Sequence, residues 1–251
     1  IDRRALGEPN NVAIEDDSDM PLLQRWAAAG QANGTQLWVQ LNHPGRQSPK
    51  GLNAENVSPS AVPFSPALQA FFAPPRALTE DEIVALIQRF ARSAGIVKRA
   101  GFSGVQIHAA HGYLLHSFLS PLTNLRTDEY GGSLENRARF SMEVLAACRK
   151  RVGDNFLLGV RYTADEGEAG GLSADDGIAI GKMFRDSGLV DFLNVTKGHI
   201  ETDAGLTDNI PIMGMASAPF LDLAGEVRAA TRFPVFHATR IQDVATARYA
   251  I

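Results

Sequence analysis

Five short apolar runs, each stopping on polar side chains, constrain this chain more than any other feature. They cover 36–41, 104–107, 156–160, 192–195 and 234–237. Runs of four to six residues suit buried strands, and the last four are separated by stretches long enough to hold a helix. Strands alternating with helices imply an α/β protein with a parallel sheet. The clearest helical stretch, 79–100, opens with Thr79-Glu80-Asp81-Glu82, a capping-box pattern. A second, 173–187, opens with Ser173-Ala174-Asp175-Asp176, and Gly153 and Gly188 stand where helices should stop. The segment 44–76 is rich in Pro, Ser and Asn and too long for a simple connection. It is expected to form an elaborated loop over the active face, with a small hairpin or excursion.

The polar exits point to catalysis. In chain order they carry Gln40, Asn42 and His43; His108, His111 and Tyr113; Arg161; Asn194, Thr196 and Lys197; and His237, Thr239 and Arg240. In barrel enzymes the catalytic groups come from the C-terminal ends of several strands on one face. His108 and His111 are three apart, so both rings can face one small ligand, as N–H donors or as two ligands of a metal. A metal would need further ligands, and no recognised pattern supplies them. Arg161 is followed by Asp165 and Glu166, so an ordinary ion pair competes with any role toward a ligand. Arg126, Asp128, Arg137 and Arg139 read as a buried charge network pinning the loop after His111. Trp38, Phe140 and Cys148 read as core, the cysteine because apolar residues recur at helical spacing around it.

Composition narrows the function classes. An apolar share of 45% supports a sizeable core, and a net charge of −4 with interspersed signs leaves no footprint for nucleic acid or anionic membranes. No apolar run is long enough to span a bilayer. A single cysteine fits a reducing compartment, so a cytoplasmic location is expected, while the oligomeric state is not legible.

Residues 105–140 carry a family resemblance. They read His-Ala-Ala-His-Gly-Tyr, then Ser-Pro-Leu-Thr-Asn, Arg-Thr-Asp-Glu-Tyr-Gly-Gly and Glu-Asn-Arg-Ala-Arg-Phe, in unbroken register. This closely resembles the old yellow enzyme family, the FMN-dependent ene reductases and their NADH:flavin oxidoreductase relatives. The likeness continues through residues 37–41 and 159–161, and so covers nearly the whole chain. It implies a TIM-type (β/α)8 barrel, here an incomplete one of about five central strands. Residues 1–251 would be a single FMN-binding barrel domain, truncated at both ends, with the first two strands and the eighth absent.

The resemblance also implies roles. His108 and His111 would hold the substrate's carbonyl or nitro oxygen, an oxyanion-hole task. Tyr113 would protonate the α-carbon. Gln40 and Arg161 would face the flavin, and Thr239 and Arg240 its phosphate. NADH or NADPH would reduce FMN at N5, and the hydride would then pass to the β-carbon of an electron-poor small molecule such as an α,β-unsaturated carbonyl. Asn42 stands where some relatives carry a substrate-contacting aromatic residue. Lys197 and His199 would line the substrate side or be solvated. The alternatives are a metal-dependent barrel lyase or hydrolase using the histidine pair, or an inactive fragment of the flavoenzyme.

Overall fold

A computed structural model describes all residues, 1–251. Helix α1 (Met20–Gln31) is followed by β1 (Trp38–Leu41), two short strands β2 (Val57–Ser58) and β3 (Arg76–Ala77), and α2 (Glu80–Ala100). Next come β4 (Gly104–Ala109), α3 (Leu114–Leu119), α4 (Leu134–Val152), β5 (Leu157–Asp165) and α5 (Ala174–Asp186). The chain ends with β6 (Phe192–Lys197), α6 (Asp203–Asn209), α7 (Leu221–Thr231), β7 (Val235–His237) and α8 (Val244–Tyr249).

The local signals act as their chemistry requires. Thr79 accepts a hydrogen bond from the Glu82 amide while the Glu82 carboxylate accepts one from the Thr79 amide, which satisfies two orphan donors of α2. Ser173 and Asp176 do the same for α5. Cys148 is fully buried on α4, and burial pushes its thiol up to about 12. It is packing, not a nucleophile. Strand β5 runs four residues past Arg161 because Tyr162 and Ala164 keep up the buried alternation. The 44–76 segment forms the expected excursion rather than a hairpin of strands: β2 and β3 pair in parallel, beside one antiparallel bridge between Pro49 and Phe72. Five prolines between residues 59 and 75 keep the connection too open for a hairpin turn, so the chain returns in the same direction.

Strands β1, β4, β5, β6 and β7 form one parallel sheet in that order. One face is apolar: Val105, Ile107, Leu158, Val160, Tyr162, Leu193 and Val195 are buried, and α2, α5 and α7 pack on the strands. The opposite face carries Trp38, Gln40, Gln106, His108, Arg161, Asn194 and Thr196. This sheet is strongly curved. In a flat sheet β1 and β7 would lie four strand spacings apart, roughly 19 Å. Yet the Trp38 and Phe236 rings meet at 5.3 Å, both against Phe192 at 4.5 and 5.0 Å. Gly159 makes room for that cluster, since a Cβ there would lie 2.0 Å from the Phe192 ring. The five strands are an open arc of TIM-type barrel wall, with the aromatic cluster as its floor and β1 and β7 as its edges.

Candidate active site

Above the aromatic floor the interior turns polar, because inward positions alternate with apolar outward ones along each strand. Gln106 donates to the Gln40 amide oxygen at 2.7 Å and accepts from the Asn194 amide at 2.9 Å, tying β1, β4 and β6 together. The bond to Gln106 occupies the Gln40 oxygen and leaves its NH2 group for a ligand. One step further along the strands, His108 and Arg161 are register partners. Asn194 is one of the polar strand exits read from sequence, whereas Gln106 was not singled out. Its signal was there, in a polar residue alternating with Val and Ile inside a strand.

The β4 exit assembles the catalytic candidates. The His108 ring lies 5.3 Å from that of His111 and 5.0 Å from that of Tyr113, both edge-on. His111 adopts a left-handed backbone, φ 59, and its amide donates to the Thr163 hydroxyl at 3.0 Å. Its Nε2 sits 3.1 Å from the Thr196 hydroxyl, which can serve either tautomer. His108 is 3% exposed, and its Nδ1 is buried with no partner in the protein. Burial, with His111 and Arg161 adding positive charge, holds the His108 pKa well below 6.5. Burial and then Arg161 lower His111 to about 3. Both rings are therefore neutral donors. Burial raises the Tyr113 phenol above its ordinary value, with a small contribution from Glu8, so it keeps its proton.

Arg161 does not form the competing ion pair. Asp165 is taken by Lys197 at 3.1 Å, and Glu166 accepts from Ser120 and the Leu172 amide, each at 2.8 Å. Arg161 is left half-buried, its Nε without a partner and its pKa lowered by desolvation. A cation taken out of water without a counter-charge is costly, so this guanidinium marks a place for an electron-rich group. A metal at the histidine pair would sit beside that charge, and no set of three or more His, Cys, Asp or Glu side chains is arranged to hold one.

Other expected positions fare differently. Asn42 lines a cleft of about 350 Å3 together with Gln40, Tyr113 and the N-terminal segment. His237 is register partner of Val195, so it stands on the outward face and corrects the expectation of a polar exit toward the site. His43 is fully enclosed, its Nδ1 accepting from the Gly45 amide, and it too serves structure. Lys197 is paired with Asp165 and partly exposed, whereas His199 is buried. Thr239 and Arg240 lie at the exit of edge strand β7, both with positive φ. The Arg240 Nε donates to the Met215 carbonyl at 3.0 Å. The Arg126 network is half-buried rather than buried. Arg126 holds Asp128 and the Pro59 and Leu78 carbonyls, Arg137 holds Leu119 and Gly132, and Arg139 holds Glu129.

Sequence reasoning missed a second polar cluster next to the His111–Gly112 turn. Arg46 pairs with Glu201 at 2.8 Å, and His116 and Glu166 face one another at 3.6 Å, all around a cavity of about 280 Å3. Arg46 and Glu201 are 155 positions apart, a separation no local pattern can bridge.

Comparison with known proteins bears on this geometry. The sequence profile of the NADH:flavin oxidoreductase / NADH oxidase family matches residues 1–203. The chain is 47% identical over 244 residues to a probable N-methylproline demethylase of Rhizobium meliloti (strain 1021), covering 96% of this chain and 35% of that one. It is 36% identical over 252 residues to a multifunctional alkene reductase/demethylase OYE of Caballeronia cordobensis, covering 98% and 36%. Among solved structures it is similar to the old yellow enzyme homologue from Zymomonas mobilis, with TM-score 0.80 and 28% identity over 99% of this chain and 69% of that one. The chain spans about a third of the length of these two curated relatives.

Proposed function

The chain belongs to the NADH:flavin oxidoreductase / NADH oxidase family, the old yellow enzymes, and from that premise we propose that its β4 exit reduces an electron-poor alkene held against bound FMN. FMN and NAD(P)H are the cofactors of this family, and the residues present fit the flavin. The free Gln40 amide and the uncompensated Arg161 guanidinium offer donors to its pyrimidine edge, and Arg161 offsets the negative charge of its reduced form. When bound, FMN supplies the hydride acceptor and donor. Thr239 and Arg240 are assigned to its phosphate side.

The protein's own groups do the rest. His108 and His111, both neutral, donate N–H to the substrate's carbonyl or nitro oxygen and polarise the conjugated double bond. Tyr113, beside His108 and protonated at neutral pH, delivers the proton to the α-carbon. The observation that carries this reading is the unpaired His108 Nδ1 within the His108–His111–Tyr113 contact, beside a guanidinium that lacks a carboxylate.

A second reading is favoured by the name of the Rhizobium meliloti relative: oxidation of an N-methylated amino acid, with the same donors binding its carboxylate. Product analysis separates the two. The FMN-loaded protein with NADPH and 2-cyclohexenone should yield cyclohexanone. Formaldehyde from N-methylproline, with the enone untouched, would move the assignment to demethylation.

A further inference from the structure

We propose that His116 is a positioning residue for the catalytic turn, acting through the Gly112 backbone; this rests on the roles of His111 and Tyr113 given above. The turn needs holding. His111 at φ 59 and Gly112 at φ 77 are consecutive left-handed residues, a conformation that costs free energy for a histidine. Three side chains from three elements fix it. Thr163 on β5 accepts from the His111 amide at 3.0 Å, and Gln47 on the loop after β1 donates to the His111 carbonyl at 2.6 Å. His116, in the first turn of α3, accepts the Gly112 amide proton at Nδ1, at 2.6 Å.

That last bond fixes the tautomer. A ring accepting at Nδ1 must carry its proton on Nε2, which faces the Glu166 carboxylate at 3.6 Å. Glu166 is itself anchored by Ser120 and the Leu172 amide. Glu166, just past β5, thus lies against His116 without hydrogen-bonding its Nε2, while His116 holds the peptide between His111 and Tyr113 directly. His116 is 1% exposed, and burial, with His199 and Arg46 nearby, holds its pKa at about 3, so Nδ1 stays an acceptor at neutral pH. Gln47 leaves no slack, since a Cβ on residue 112 would lie 2.4 Å from its amide nitrogen.

Two substitutions separate the two ring nitrogens. In His116→Asn the amide oxygen can take the place of Nδ1, whereas in His116→Gln the amide reaches only the Nε2 position; His116→Leu keeps neither. In the FMN-loaded full chain we expect His116→Gln and His116→Leu to slow flavin reoxidation by 2-cyclohexenone on the order of 10²-fold, because the donors are misplaced. Flavin reduction by NADPH should be little changed, and His116→Asn should restore most of the rate. Amide exchange at Gly112, followed by NMR, should be slow in wild type and His116→Asn and fast in the other two. Equal loss in Asn and Gln variants, or unaltered Gly112 exchange in His116→Leu, overturns the proposal. A wild-type protein that leaves the enone untouched counts against the functional reading instead, and Gly112 exchange then still decides the clamp.

Discussion

At the scale of single residues, the site is defined by polar groups left without partners. Folding normally pairs buried donors, so an orphaned imidazole nitrogen and an unpaired guanidinium on the same polar face are a cost that the proposed ligand would offset. Replacing His108 and His111 together by Ala should weaken binding of a phenolate, with each lost bond to the charged oxygen worth roughly 1.5–3 kcal/mol. Flavin content should persist. Titration of the flavin spectrum with a phenol reads this directly, and unchanged affinity would remove the pair from substrate binding. Arg161→Met should make the flavin harder to reduce, since the cation facing its reduced form is gone. Redox titration checks this, and an unchanged potential would place Arg161 away from the ring. Much of this site was legible in sequence because His108, His111 and Tyr113 are adjacent in the chain. Arg161 was ambiguous until Asp165 and Glu166 were seen committed to Lys197, Ser120 and Leu172. Gln47 and His116 went unnoticed because their role is set by contact with a backbone turn.

At the scale of elements, strands and helices were legible because both periodicities are strong. Capping boxes at Thr79 and Ser173 marked two helix starts correctly. The β2–β3 ladder was not, since strands of two residues carry no period. Curvature was expected through the resemblance to a barrel family, not from the strand runs themselves. It depends on Gly159 yielding space to Phe192, a match between neighbouring strands that no single run displays. Gly159→Ala should therefore destabilise the protein by about 1–3 kcal/mol or more through overpacking. Urea unfolding would measure it, and a neutral result would mean the aromatic floor is loosely packed.

At the scale of the whole molecule, burying so many imidazoles links stability to pH. His43, His111 and His116 are lowered to about 3, and His108 is well below 6.5. The unfolded chain takes up these protons near pH 6.5 while the folded chain does not, so stability is full above that pH and falls as pH drops toward about 3. Glu166, raised by burial, works in the opposite direction, but it is one group against these four and His237, which burial also lowers. Between pH 6.5 and roughly 5, before carboxylates titrate, each imidazole should cost up to about 1.4 kcal/mol per pH unit. Urea midpoints across that window check the slope, and a flat profile would contradict it. The account as a whole stands on Tyr113 as proton donor to an alkene polarised by the histidine pair. The most direct measurement is anaerobic stopped-flow of both half-reactions in FMN-loaded Tyr113→Phe. Flavin reduction by NADPH should match wild type, while reoxidation by 2-cyclohexenone slows by about 10²–10⁴-fold; equal loss in both halves, or none in either, would contradict it.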